Sequence, residues 1–128
     1  MLTPKKNILI VEDTHVIADM LVEMLKEKHP DYLCYTAYSY FEGQDILNHQ
    51  DIEVALLDIN LPDKNGIELL KYIKHFYPHI TAIMISNSAS ETYRNYCKKE
   101  GAYQFIDKSN EFETIPGIVD AAFLAFAS

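Results

Sequence analysis

Five side chains in this sequence have the types and spacing to do chemistry together. Glu12 and Asp13 follow the apolar run Asn7-Ile8-Leu9-Ile10-Val11, and Asp58 closes Val54-Ala55-Leu56-Leu57. Ser86 ends the run from Ile80, and Lys108 follows the run from Ala102 to Asp107. Each stands where a strand-like stretch stops. Three carboxylates brought to one place repel one another, by about 4 kcal/mol per pair at 4 Å and an effective dielectric of about 20. They need counter-charge. Lys108 supplies one positive charge and a divalent cation the rest; a donor set of carboxylate, carbonyl and water oxygens suits Mg²⁺. A site with Mg²⁺, an amine and a hydroxyl is complementary to a phosphoryl group. Asp58 is the candidate nucleophile, because a carboxylate attacking phosphorus gives an aspartyl phosphate. The plainer alternative for Asp58 is a turn or helix-capping aspartate that happens to follow a strand.

These residues meet only if the runs that carry them are parallel strands. Val54-Ala55-Leu56-Leu57 has no polar alternation, which is the pattern of a strand buried on both faces of a parallel sheet. Leu61-Pro62-Asp63-Lys64-Asn65-Gly66 after it is turn chemistry. Along the chain β-like and helical patterns alternate five times. The strands are 7–11, 32–37, 54–58, 80–86 and 102–107. The first helix has Val16, Ile17, Met20, Leu21, Met24 and Leu25 at helical spacing, with Thr14 or Asp13 as N-cap. The second, 40–48, is expected to turn Phe41, Ile46 and Leu47 inward. The third carries Ile67, Leu69, Leu70, Ile73 and Phe76 and stops at Pro78. The fourth, capped by Ser90 and stopped by Gly101, carries Tyr93, Tyr96 and Cys97. The fifth starts near Thr114 with Pro116 in its first turn. In an open parallel sheet ligands bind at the carboxyl ends of the strands. Alternating strands and helices predict an α/β fold, and the absence of linkers or repeats predicts one domain over residues 1–128.

Composition narrows the function. A chain of 128 residues with a formal charge of −8 lacks the basic footprint of a nucleic-acid binder. No apolar run approaches the roughly 20 residues of a membrane span, so a cytoplasmic location and no membrane partner are expected. Cys34 and Cys97 lie outside any CxxC pair and read as reduced thiols. His75 and His79 have metal-like spacing, but Pro78 breaks the helix between them. His15, near the acid pair, reads as an exposed helix residue.

In order, Glu12-Asp13, Asp58 with Leu61-Pro62-Asp63 and Gly66, Ser86 and Lys108 resemble the motif set of response-regulator receiver domains of two-component signalling. The likeness covers essentially the whole chain. It implies a flavodoxin-like (βα)5 fold with a five-stranded parallel sheet in the order 2-1-3-4-5. It implies that Asp58 accepts a phosphoryl group from a sensor histidine kinase or a histidine phosphotransfer protein. Asp13, Asp58 and the backbone carbonyl of Asn60 would ligate Mg²⁺, with Glu12 acting through water. Ser86 and Lys108 would hold the phosphoryl group, and Phe105 would take the aromatic switch position that turns inward as Ser86 moves. The output would be a downstream protein or a homodimer bound through the surface of the fourth helix, fifth strand and fifth helix. The domain would be no enzyme beyond its own phosphorylation and dephosphorylation.

Three positions depart from the pattern. Ser109 stands where a proline with a cis bond is usual, and without the proline the sequence leaves the Lys108-Ser109 peptide open between cis and trans. Asn87 stands where a smaller residue is commoner and would narrow access to the acyl phosphate. Phe105 has no hydroxyl, so a switch there runs on packing. Tyr93, Tyr96, Tyr103, Phe123 and Phe126 are expected mostly in the core, with some left as a partner-binding patch. In the implied strand order Cys34 and Cys97 fall too far apart for a disulfide. Two other classes stay open: a receiver-like interaction module independent of phosphorylation, and a flavodoxin-like electron carrier. The latter needs a glycine- and hydroxyl-rich loop after the first strand; Glu12-Asp13-Thr14-His15 has no glycine and the wrong charge.

Overall fold

The computed structural model describes residues 6–87 and 90–127, with side chains described through residue 125. Among the described residues five strands and five α-helices alternate. They are β1 (Asn7–Val11), α1 (His15–Lys28), β2 (Leu33–Ala37), α2 (Tyr40–His49), β3 (Val54–Asp58) and α3 (Gly66–Phe76). β4 (Thr81–Ser86), α4 (Glu91–Lys99), β5 (Gln104–Asp107) and α5 (Ile115–Ala127) follow, with a 3₁₀ turn (Phe112–Thr114) before α5. The strands form one sheet in the order β2-β1-β3-β4-β5, and every pairing is parallel. All five strands therefore end on the same edge.

Every residue of β1 and β3 is buried, as their unbroken apolar pattern predicted. Successive side chains of a strand point to opposite faces, and the core divides accordingly. Leu9, Val11, Ala55, Leu57 and Met84 pack on one face with Leu47 of α2, Leu70 and Ile73 of α3 and Cys97 of α4. Ile8, Ile10, Leu56, Ile83 and Ile85 pack on the other with Leu21 and Leu25 of α1 and Ile115 and Val119 of α5. β2 is an edge strand, with burial rising only at Ala37.

The phase of the helices corrects several expectations. In α2 the inward residues are Tyr40, Gly43 and Leu47, and Phe41 is 58% exposed. Gly43 sets this phase: a Cβ there would lie 2.9 Å from a Val11 methyl, so the helix rests its glycine on β1 and turns Phe41 outward. In α1 the buried line is Ala18, Leu21 and Leu25, leaving Val16 and Met20 exposed. Phe76 ends α3 in solvent against Tyr72. Of the five aromatics grouped on α4, β5 and α5, Tyr93, Tyr96 and Tyr103 are exposed. Phe123 packs instead on Tyr32, toward α1, and the Phe126 side chain lies outside the described residues. The tyrosines thus do not fill the core.

Cys34 on β2 and Cys97 on α4 are both free thiols, at opposite ends of the strand order. Among the described residues no helix is long and apolar enough to cross a membrane.

Candidate functional site

The chain order reverses between β1 and β3, so their carboxyl ends open the crevice in which such sheets bind ligands. Three carboxylates converge there. Glu12 and Asp13 stand just past β1 and Asp58 is the last residue of β3; one oxygen from each lies within 4.8 Å of the others. Glu12 and Asp58 are buried, whereas Asp13 is exposed.

Lys108 reaches in from the end of β5. Its Nζ donates to Glu12 Oε1 at 2.7 Å and to Asp58 Oδ2 at 3.2 Å. The Lys108 N–H donates to the carbonyl of Ser86, which ties the ends of β4 and β5 together. Glu12 Oε2 accepts from Thr14 N and Asp58 Oδ1 from Asn60 N, so each buried carboxylate is bonded through both oxygens. Thr14 occupies the N-cap of α1 without a side-chain bond; the Glu12 carboxylate works at that helix start instead. Ser86 is fully buried beside this cluster, at the end of β4.

Burial, and after it the Glu12 carboxylate, push Asp58 from its ordinary 3.8 up to about 6, against the Lys108 ammonium and the Asn60 N–H. Burial also works against the Lys108 ammonium, but its bond to Glu12 and the charges of Asp58 and Glu12 outweigh it and raise its proton affinity. Three carboxylates against this one ammonium leave two formal negative charges in the cluster. An all-oxygen donor set with that excess fits a hard divalent cation. Asn60 is exposed and shares with Asp13 and Asp63 an open cavity of about 300 Å³ at the rim.

The loops around the crevice depend on two local devices. Gly66 opens α3 against β3, and a Cβ there would sit 1.9 Å from the Asp58 carbonyl oxygen. Among the described residues no peptide is cis, so Lys108-Ser109 is trans. Asp107 closes that turn: its Oδ1 accepts from Ser109 N at 2.8 Å and its Oδ2 from Asn110 Nδ2 at 2.9 Å. Asn87 faces the same turn, its Oδ1 3.5 Å from Ser109 Oγ.

Phe105 is already turned inward, 8% exposed. Arg94 of α4 covers it, with its guanidinium carbon 5.1 Å from the ring centroid. Arg94 also donates to the Phe105 carbonyl at 3.1 Å and to Glu111 Oε1 at 2.8 Å. The same Glu111 oxygen accepts from Asp107 N. Sequence reasoning assigned no role to Arg94 or Glu111, and placed Asp63 only in the turn and motif after Asp58. Ser109 to Glu113 reads in the sequence as a short turn before α5, without naming Asp107 as its closing residue; Arg94 and Glu111 carry no local signal of their pairing. His15 is exposed and stacks on Tyr38, and His75 and His79 are both exposed.

The profile of a family described as the response regulator receiver domain matches residues 8–120. The chain is 32% identical over 114 residues to a probable transcriptional regulatory protein of Picosynechococcus, covering 84% of this chain and 45% of that protein. It spans about half the length of the curated relatives it matches. A CheY-like response regulator receiver domain protein from Methanospirillum hungatei superposes with a TM-score of 0.81 at 28% identity, covering 95% of this chain and 99% of that one. The beryllofluoride-activated NtrC4 receiver domain dimer superposes with a TM-score of 0.86 at 27% identity, covering 94% and 98%.

Proposed function

The chain belongs to the response regulator receiver domain family, and from that premise we propose that Asp58 is its phosphoacceptor in a two-component phosphorelay. The observation that carries the reading is the Glu12, Asp13 and Asp58 cluster with Lys108 bonded across it. A Mg²⁺ ion held by Asp13, Asp58 and the Asn60 carbonyl, with Glu12 acting through water, would neutralise charge on the transferring phosphoryl group. An Asp58 oxygen forms the new P–O bond as the P–N bond of a phosphohistidine donor breaks, and the imidazole leaves. Lys108 is bonded to Asp58 at rest and exchanges that contact for the phosphoryl oxygens. Ser86, at the adjacent strand end, supplies a hydroxyl to the same group. The donor is a sensor histidine kinase or a histidine phosphotransfer protein.

On this reading residues 1–128 form one cytoplasmic receiver domain, which catalyses its own phosphorylation and dephosphorylation and is not otherwise an enzyme. The output surface is α4-β5-α5, where Tyr93, Tyr96 and Tyr103 stand exposed for a downstream protein or a second copy. A phosphorylation-independent interaction module gains nothing from a buried, charge-strained Asp58.

Intact mass after incubation with Mg²⁺ and acetyl phosphate tests the proposal. One phosphoryl adduct that needs both Mg²⁺ and Asp58, and is absent in Asp58→Asn, is expected. No adduct under conditions where Mg²⁺ binding is measured separately would favour the interaction module.

A further inference from the structure

The loop between β3 and α3 carries Asn60. Its base is closed by its own backbone: Gly66 N donates to the Ile59 carbonyl at 2.8 Å and Leu61 N to the same carbonyl at 3.2 Å. Its tip is held from another element. Asp63 Oδ1 accepts from Tyr40 N at 2.8 Å and from Lys64 N at 3.0 Å, and Oδ2 accepts from Phe41 N at 3.1 Å.

Tyr40 and Phe41 are the first two residues of α2. A helix leaves its first N–H groups without internal partners. In α2 the third, that of Glu42, goes to the Ser39 hydroxyl, the local N-cap. The first two go to a carboxylate 22 and 23 residues away. Lys64 adds a second tie on the same side, its Nζ 4.8 Å from the Tyr40 ring centroid. Tyr40 is buried, so the anchor is part of the packed core. Burial acts against ionisation of Asp63, but the N–H groups of Phe41, Tyr40, Asp63 and Lys64 outweigh it and keep the carboxylate below its ordinary range. Asp63, Asn60 and Asp13 line one cavity.

We infer that Asp63 is a positioning residue for the phosphoacceptor site: by bonding the first two N–H groups of α2 it fixes the loop tip, and so the Asn60 carbonyl, against Asp13 and Asp58. The inference rests on the reading of the site given above. Ser39 already caps α2 locally, so the work left to Asp63 is to hold the loop. Helix α2 thereby becomes part of the frame of the cation site through its backbone.

Asp63→Ala and Asp63→Asn test this beside wild type. Asn keeps an Oδ1 acceptor for Tyr40 N and Lys64 N but has no charge and turns an N–H₂ donor toward Phe41 N in place of Oδ2. Three quantities are read: Mg²⁺ affinity by calorimetry, the Mg²⁺ concentration for half-maximal phosphorylation by acetyl phosphate, and the rate at saturating Mg²⁺. Asp63→Ala is expected to weaken the first two by about tenfold and leave the saturated rate within about twofold, while Asp63→Asn, which keeps the bonds to Tyr40 N and Lys64 N and loses the one to Phe41 N, falls between Asp63→Ala and wild type. Hydrogen exchange at Tyr40 and Phe41 N–H should speed up in Asp63→Ala. Unchanged Mg²⁺ affinity with faster exchange would make Asp63 a helix cap alone and overturn the inference. Wild type that binds no Mg²⁺ would remove the phosphoacceptor reading, and this inference with it.

Discussion

Without a cation the site works against the fold, and Asp58→Asn should make the protein more stable. Holding the Asp58 carboxyl at about 6 instead of its ordinary 3.8 costs the folded state about 3 kcal/mol once both states are ionised. An asparagine removes that cost but brings an amide N–H₂ toward the Lys108 ammonium and gives up its charged acceptor. A net gain of about 1–2 kcal/mol is expected, or about 4–8 °C in Tm for a domain of this size. The pH dependence follows from the sign. The folded state binds the Asp58 proton more tightly, so this contribution to stability is fully present below about pH 4 and is lost as pH rises through about 6. The advantage of Asp58→Asn should therefore vanish near pH 4, grow up to about pH 6 and stay flat above it. Mg²⁺ reverses the order. At 100 times its dissociation constant it stabilises wild type by about 2.7 kcal/mol, and the variant far less. Urea melts at pH 4 and pH 8, with EDTA or Mg²⁺, read all four arms. A variant less stable than wild type in EDTA at pH 8, or equally stabilised by Mg²⁺, would refute the reasoning.

Other substitutions probe the frame around that charge. Lys108→Met leaves Glu12 and Asp58 buried with no ammonium between them, and should cost about 3–5 kcal/mol, partly restored by Mg²⁺ in denaturation curves. Gly66→Ala places a methyl carbon 1.9 Å from the Asp58 carbonyl oxygen; a loss of about 2–4 kcal/mol in the urea midpoint and weaker Mg²⁺ binding are expected. Arg94→Ala removes the cover of Phe105 and the partner of Glu111; because Arg94 is one-third exposed, only about 1 kcal/mol should be lost, with faster hydrogen exchange at the Asp107 N–H.

What was legible in the sequence follows from what is local. β1 and β3 were readable because a strand buried on both faces needs no polar alternation, and both are buried throughout. The five chemical residues were readable because each stands at a strand end, and parallel pairing brings those ends to one edge. Helix phase was not readable from apolar spacing alone. Phe41 fits a helical stripe as well as Tyr40 does, and the choice is made by Gly43 pressing on Val11 across the sheet. The links Asp63 to Tyr40 and Arg94 to Glu111 span 23 and 17 residues and depend on where whole elements come to rest. Phe105, implied to turn inward as Ser86 moves, is buried under Arg94 in this structure.

That last difference bears on how a signal would leave the site. If Phe105 is inward at rest, phosphorylation cannot act by driving the ring in. What it can change is the set of partners of Lys108, three residues further on and backbone-bonded to Ser86. Moving the Lys108 ammonium from Glu12 to a phosphoryl oxygen would pull on the turn that Asp107 closes on Ser109 and Asn110. The Asp107 N–H shares one Glu111 oxygen with Arg94, so a shift of the turn bears on that ion pair and, through it, on α4. A group can shift a conformational equilibrium only by interacting differently with its two states. On the proposed reading that difference would lie in the Arg94–Glu111–Asp107 contacts. On the proposed reading, the output of this domain would be a change in how α4 is tied to β5, with the Phe105 ring as the packed pivot beneath it.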